Sequence, residues 1–361
     1  MADLLGERVV IVGAGGLGRT LLRGLREQSI SVVAVVDNDP NRWGETIGEV
    51  VVRSAREAAD LYGSDAVFVI AIWNAGRRRN QTDVRRQLQS LGCQSVISFV
   101  EAFRCFPDSF LPYFAVDRAE NVASARESVD RAFALLADDR SQDIFQRQLN
   151  WRVTADFDLL SSPGDEPQYF PPDVYRLRDD EAFVDCGAFD GDTLRQFLSL
   201  TDGAFSHYWA LEPDERNFEA LVSFVRRLPA DSATRITCLP LAASDREGQE
   251  RFDARGSASS TVSDAGSVAV NCARLDDLVD ACTIIKLDVE GAEPRVLDGA
   301  RRLIRESSPV LAISAYHTQA HLWELPLLVH SMNPSYELLY REHNEEGFDL
   351  VLYAVPPSRR R

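Results

Sequence analysis

From Arg8 to about Phe106, short β-branched runs (VVIV, SVVAVV, AVFVIAI, SVISFV) alternate with stretches whose apolar residues recur at helical spacing. Strands covered on both faces read as unbroken apolar runs, and their alternation with helices predicts a parallel βαβ sheet. Over 117–158 the pattern changes to sustained helical spacing through Val122, Ala125, Val129, Phe133, Leu136, Ile144, Phe145 and Leu149, with no Gly or Pro to interrupt it. The stretch 161–172, SSPGDEPQYFPP, is rich in Pro, Gly and acids and predicts a loop, with Tyr169 and Phe170 adding aromatic surface. A second alternation follows: AFVDCG, HYWALEP, RITCLP, TIIKLDVEG, PVLAISAYH, and finally YELLYREH and FDLVLYAV around the polar Asn344-Glu-Glu-Gly347. That last pair predicts an antiparallel hairpin closing an otherwise parallel sheet. The expected organisation is an α/β chain with a Rossmann-like domain over 1–115, a helical connector over 116–165 and a second α/β domain over 166–361.

Composition agrees with two folded domains. The 361 residues exceed one ordinary domain, and 45% apolar with 26% charged residues is the balance of a chain with a sizeable core. The opening MADLLGERVVIVGAGG lacks a basic leader, and glycines break its apolar run, so neither a signal peptide nor a membrane span is expected and the protein reads as cytoplasmic. The net charge of −17 repels phosphate backbones, and the clusters Arg77–Arg79 and Arg359–Arg361 are too short to reverse that field, so no nucleic-acid partner is expected. Cysteines at 93, 105, 186, 238, 272 and 282 show no metal or redox spacing and read as reduced, buried thiols.

The chemistry gathers in the second half. FVDCGAFDGDT ends a buried strand and opens a helix, and ligands sit at such strand ends. Gly187 and Gly191 let the backbone approach a ligand, Ala188 and Asp190 lie between them, and the amides near Thr193 suit a carboxylate. Asp185 adds a negative charge that suits an ammonium and a sulfonium. One strand later, Glu212 in LEP stands where a carboxylate can accept both hydroxyls of a ribose. Ala243 and Asp245 in LAASD, after a third strand, are placed to flank an adenine. The segment IIKLDVEGAEP puts Asp288, Glu290 and Glu293 around a glycine just past another buried strand.

These motifs, with LEPDERNFEAL, IKLDVEGAEPRVLDGA and ISAYHTQAHLWELP, resemble the FkbM family of S-adenosylmethionine-dependent methyltransferases over roughly 168–356. The resemblance implies the class I seven-stranded methyltransferase fold. It also implies that Asp185, Gly187 and Glu212 contact S-adenosylmethionine, and that Asp288, Glu290 and His317 border an acceptor hydroxyl on a sugar, glycolipid or polyketide. Methyl transfer to oxygen needs a group to take the hydroxyl proton, and His317, just after PVLAISAY, is expected to be that base or an acceptor anchor, with Asp288 or Glu290 orienting it. His317, His321 and Glu324 also have i, i+4, i+7 spacing, which on a helix offers three ligands to one metal, but their apolar neighbours favour packing and the expectation is no metal.

In the first half, VVIVGAGGLG places Gly13, Gly15, Gly16 and Gly18 directly after a strand, with Asp37 closing the next apolar run, which meets the context of a dinucleotide fingerprint. GAGGLGR and AIWNAGRRR also resemble the N-terminal domain of PglD-type sugar acyltransferases, which implies a nucleotide sugar. Arg77 is placed to clamp a diphosphate. The expected ligand here is NAD(P) or a nucleotide sugar. No hydride-transfer domain follows, which argues against an independent dehydrogenase. The leading reading is thus an O-methyltransferase acting on a small-molecule or carbohydrate hydroxyl, with self-association into a homo-oligomer left open. Its alternatives are a nucleotide-binding sensor without turnover and a bifunctional oxidoreductase and methyltransferase.

Overall fold

A computed structural model describes residues 2–73, 80–160, 163–253, 261–262 and 268–360. The chain divides into two compact units: one of 1–126, 146–163 and 344–348, the other of 127–145, 164–343 and 349–361.

The first unit is built on a six-stranded sheet of β1 (Arg8–Val12), β2 (Ser31–Val36), β3 (Thr46–Ile47), β4 (Val50–Arg53), β5 (Val67–Ile70) and β6 (Ser95–Ser98) in the order β3-β4-β2-β1-β5-β6. All its pairings are parallel except that of β3 with β4. Val9 and Ile11 face one apolar core and Val10 and Val12 another, which is why VVIV reads as a continuous apolar run. Strand order reverses between β1 and β5, so the loops leaving their carboxyl ends run to opposite faces of the sheet and leave a crevice. The run SVISFV does not stay extended: Ser98 and Glu101 form a reciprocal capping box, and Phe99–Cys105 is a helix.

The helical stretch after Asp117 is three helices, Ala119–Ser124, Arg126–Ala134 and Asp139–Thr154. No Gly or Pro makes the second break. The amide of Ala137 instead bonds Leu338 O at 2.9 Å, and the Asp138 carboxylate accepts the Ser141 amide at 2.8 Å, starting the next helix.

The second unit holds a seven-stranded sheet in the order β16-β17-β15-β14-β7-β8-β9 and a four-stranded sheet in the order β10-β13-β11-β12. The large sheet contains β7 (Ala182–Cys186), β8 (His207–Leu211), β9 (Ile236–Leu239), β14 (Ile284–Leu287), β15 (Val310–Ser314), β16 (Glu337–Glu342) and β17 (Leu350–Val355). The small one contains β10 (Ala242–Ala243), β11 (Gly248–Asp253), β12 (Thr261–Val262) and β13 (Val268–Ala273), a feature with no clear periodic signal. The expected terminal hairpin is present: β17 runs antiparallel to both β15 and β16 in an otherwise parallel sheet. Tyr169 and Phe170 do not supply surface. They are 5% and 4% exposed and pack into this unit's core with Phe183, Phe197 and Tyr208.

Candidate functional site

Four neighbouring parallel strands, β15, β14, β7 and β8, end at the same edge of the second sheet. Their carboxyl ends bring together Ala315–His317, Asp288–Glu293, Gly187–Gly191 and Glu212, although these segments are far apart in the chain.

On the β7–β8 side, Glu212 is the organising group. Its Oε2 accepts the amide of Phe189 at 2.8 Å and its Oε1 that of Asp214 at 2.9 Å, while burial raises its pKa above the usual carboxylate value. The Asn217 side chain donates to the same carboxylate, so three of its four lone-pair sites are taken within the chain. Gly187 sits at φ +83°, and a Cβ there would lie 2.0 Å from Asp288 O, so this glycine is demanded by the crossing of two backbone segments. Ala188 is fully buried, and Gly191, at φ +89°, starts the helix Asp192–Leu200 with no side chain capping it. Two expectations change. The Thr193 amide is already bonded to the Asp192 carboxylate at 2.7 Å, so it is not open to a ligand carboxylate as the motif suggested, and Asp190 is paired with Arg195. Asp185 is fully buried, with Tyr208 donating to its Oδ2 at 2.6 Å and Lys286 Nζ 2.9 Å from its Oδ1, so its charge is answered within the chain. Lys286 also donates to Gly187 O at 2.7 Å, which ties the glycine turn to the middle of the sheet.

On the β14–β15 side three carboxylates surround one imidazole. His317 Nδ1 bonds Glu293 Oε1 at 2.7 Å, and its Nε2 lies 3.4 Å from Asp288 Oδ1 and 3.7 Å from Glu290 Oε2. Tyr169 donates its hydroxyl to Asp288 Oδ2 at 2.8 Å. Glu293 also accepts the amide of Val289 at 3.0 Å, bracing the turn in which Glu290 takes a left-handed φ of +53°. The His317 side chain is 1% exposed and that of Glu293 fully buried, whereas Asp288 and Glu290 are 26% and 16% exposed. Burial alone would lower His317, but the carboxylates of Glu293, Glu290 and Asp288 hold it up at about 9. Burial, helped by Asp288 and Glu293, raises Glu290 to about 7. Burial would raise Glu293 too, yet His317 beside it holds it down at about 2.

The helical spacing of His317, His321 and Glu324 is not realised, because that helix, His321–Met332, begins only at His321. His321 Nδ1 turns to Glu293 Oε2 at 3.4 Å and Glu324 is exposed. Among the described residues, no three His, Cys, Asp or Glu side chains are arranged to hold a metal ion. Ala243 lies in β10 against Ala273, and Asp245 is engaged by Arg295 at 2.7 Å, which lowers its pKa and takes up its charge. Sequence reasoning missed Lys286 and Tyr169 as site groups. A lysine inside the apolar run IIKL, next to an aspartate in a neighbouring run, was the available signal for the first. Nothing local marks the second.

In the first unit the glycine motif borders a cavity of about 400 Å³ at the β1–β5 crevice, with Asp37, Arg42, Trp73 and Tyr113 also on its wall. Asp37 Oδ2 accepts the Ala14 amide at 3.2 Å and Arg42 Nη1 at 2.8 Å, and its Oδ1 accepts the Asp39 amide at 2.9 Å. Arg77 lies outside the described residues.

A seven-stranded doubly wound sheet with a glycine turn, a buried acid and an acid–histidine cluster at its carboxyl edge is the arrangement of a methyltransferase class of domain. Residues 185–345 match the family described as the methyltransferase FkbM domain. The chain is similar over 97% of its length, and over 90% of the other chain, to the crystal structure of a methyltransferase FkbM from Methylobacillus flagellatus KT, at 28% identity and a TM-score of 0.83. It is also similar to redox-sensing transcriptional repressors Rex, at 28% identity over 105 residues for that of Thermosipho africanus and over 102 residues for that of Roseiflexus sp.. These matches cover 27% and 28% of this chain and span about half the length of those relatives, 50% and 46%. No helix among the described residues is long and apolar enough to cross a membrane.

Proposed function

We propose that the protein is an S-adenosylmethionine-dependent O-methyltransferase acting on a hydroxyl of a sugar, glycan or glycosylated natural product. The observation that carries this reading is the placement of two part-open carboxylates, Asp288 and Glu290, against a buried His317–Glu293 pair, next to the strand ends that hold Glu212 and the 187–191 turn. The residues fit the cofactor at Glu212, whose one open lone-pair site suits a ribose hydroxyl, beside the tight turn at Gly187. When bound, S-adenosylmethionine supplies the methyl group as an electrophile. The chain must place the acceptor oxygen and remove its proton.

Exposure and charge divide that work. Only Asp288 and Glu290 reach the open side, and at neutral pH His317 already carries its proton, so it donates rather than accepts. Glu290, poised at about 7, takes the hydroxyl proton as the oxygen–carbon bond forms. Asp288, fixed by Tyr169, accepts a neighbouring hydroxyl, and adjacent carboxylates suit the vicinal hydroxyls of a sugar. The His317 imidazolium, held by Glu293, keeps the two carboxylates together. As a second part of the same reading, the first unit takes a nucleotide ligand, NAD(P) or a nucleotide sugar.

The test is calorimetric titration of the full chain with S-adenosylhomocysteine, followed by transfer of labelled methyl from S-adenosylmethionine to a panel of sugars and glycosides. Binding that weakens at least tenfold in Glu212→Ala, with transfer to a hydroxyl acceptor, is expected. No binding by the folded wild type overturns the cofactor assignment. Binding without transfer across the panel favours a nucleotide-binding protein whose methyltransferase-like unit lacks turnover.

A further inference from the structure

Tyr169 is held in a backbone conformation that tyrosine rarely adopts. Its φ is +66°, in the left-handed region, and Pro167, Pro171 and Pro172 bracket it. All three of its polar groups are engaged by other parts of the second unit. Its amide donates to Tyr353 Oη at 3.0 Å, its carbonyl accepts Tyr175 Oη at 2.7 Å, and its own hydroxyl donates to Asp288 Oδ2 at 2.8 Å, with Ser314 Oγ 3.4 Å away. Burial and the charge of Asp288 push the Tyr169 hydroxyl well above its usual range, so it stays a donor.

A buried tyrosine hydroxyl needs a partner, and a backbone carbonyl serves. Tyr175, Tyr336 and Tyr340 end in that way, on Tyr169 O, Pro309 O and Leu322 O. Tyr353 does not. Its oxygen accepts the Tyr169 amide, and His343 Nε2 lies 2.7 Å from it. Burial holds His343 down at about 4, so the imidazole is neutral near neutral pH, and its Nδ1 faces Glu166 O at 3.3 Å. With the proton on Nδ1, Nε2 accepts the Tyr353 hydroxyl, and the lone pairs of that hydroxyl are left for the amide. The segment 166–169 is thus gripped at both ends, by His343 at Glu166 and by Tyr353 at Tyr169. The grip reaches the candidate site. With Asp288 Oδ2 on Tyr169, Oδ1 is the oxygen turned to His317 Nε2, 3.4 Å away.

We propose that Tyr353, oriented by His343, is a positioning residue for the acceptor: acting through Tyr169, it fixes which oxygen of Asp288 faces the acceptor hydroxyl. This rests on the O-methyltransferase reading and adds to it a residue outside the acid–histidine cluster, joined to the Asp288 carboxylate through two hydrogen bonds of Tyr169.

The first measurement needs neither cofactor nor acceptor: the His317 imidazole titration, followed by NMR in the full chain. Tyr169→Phe keeps the ring and removes the donor, which frees Asp288 to close on His317 Nε2, so the titration should move up from about 9. Tyr353→Phe should move it in the same direction, and the double variant no further than Tyr169→Phe alone. A merely loosened core admits water and weakens the hold of the carboxylates, which moves the titration down toward the ordinary histidine value. A downward move or none in Tyr353→Phe, or shifts that add in the double variant, overturns the proposal. The second measurement is transfer. Tyr353→Phe and Tyr169→Phe should each raise the acceptor KM about tenfold with a smaller change in kcat, and neither should raise it further in an Asp288→Asn background. An upward shift of His317 with no transfer to any acceptor overturns the O-methyltransferase reading while the control of Asp288 stands, whereas transfer with an unchanged KM in both variants overturns the positioning role alone.

Discussion

The single residue on which the proposed chemistry turns is Glu290. Its left-handed backbone and burial place a carboxyl with a value of about 7 on the open side of the His317 cluster. A group that acts as base works when deprotonated, so transfer should rise with pH through about 7 and fall above about 9, where His317 loses the charge that holds the carboxylates. Glu290→Gln should lower kcat by about 10²-fold or more and remove the rising limb, with S-adenosylhomocysteine affinity unchanged. A wild-type kcat in that variant would take Glu290 out of the mechanism. Glu293 acts through His317, and in Glu293→Gln the imidazole titration followed by NMR should move down from about 9. The same pair couples to stability. A raised histidine stabilises fully below its unfolded value and loses that contribution as pH climbs through about 9. A lowered carboxylate stabilises above its unfolded value and loses it as pH drops through about 2. The melting-temperature gap between wild type and Glu293→Gln should therefore be widest near pH 5 to 6.5, roughly the interval between the two unfolded values, and narrow toward pH 9.

At the scale of elements, the glycine turn after β7 and the turn after β14 are one structure, because Gly187 passes within a Cβ's reach of Asp288 O and Lys286 donates to Gly187 O. Gly187→Ala forces a left-handed alanine into a backbone oxygen and should cost on the order of 2–4 kcal/mol, lowering the melting temperature by several degrees. Gly15→Ala in the first unit should change it by less than about 0.5 kcal/mol. Equal effects of the two would contradict the distinction between a glycine that packing requires and one whose Cβ would meet no neighbour. Ser98→Ala removes one half of a capping box and should cost about 1 kcal/mol, read by chemical denaturation. The strands were legible because β1, β5, β7, β14 and β15 are apolar on both faces. The cap at Ser98 explains why the same kind of run turned helical at Phe99, and the two-residue strands and the small sheet were illegible because too few residues alternate in them.

For the whole molecule, each unit has its own apolar core and its own candidate ligand, so ligands should act selectively in calorimetry. S-adenosylhomocysteine at about 100 times its Kd should add about 2.7 kcal/mol to the second unit, and a nucleotide held at the same ratio should do so for the first. Stabilisation of a single shared transition by either ligand alone would contradict that assignment. The chain also passes between units more than once, since 146–163 and 344–348 belong with the first. Local pattern cannot reveal this, because the segments that return are short and are chosen by where their side chains are buried.

By itself the sequence determined the two strand–helix alternations, the terminal hairpin and the glycine turns, and it put Glu212, Asp288, Glu290 and His317 forward as candidates. Hydrophobic periodicity and turn composition are local properties, and they survive translation into structure. Only the tertiary structure decided which charges meet and how deeply each is buried. Strand order put Lys286 beside Asp185, Arg295 beside Asp245 and Glu293 beneath His317, and left Asp288 and Glu290 part-exposed. Those pairings join residues tens of positions apart or more, and charge and burial are set by what the fold brings within a few ångströms, which no stretch of sequence contains.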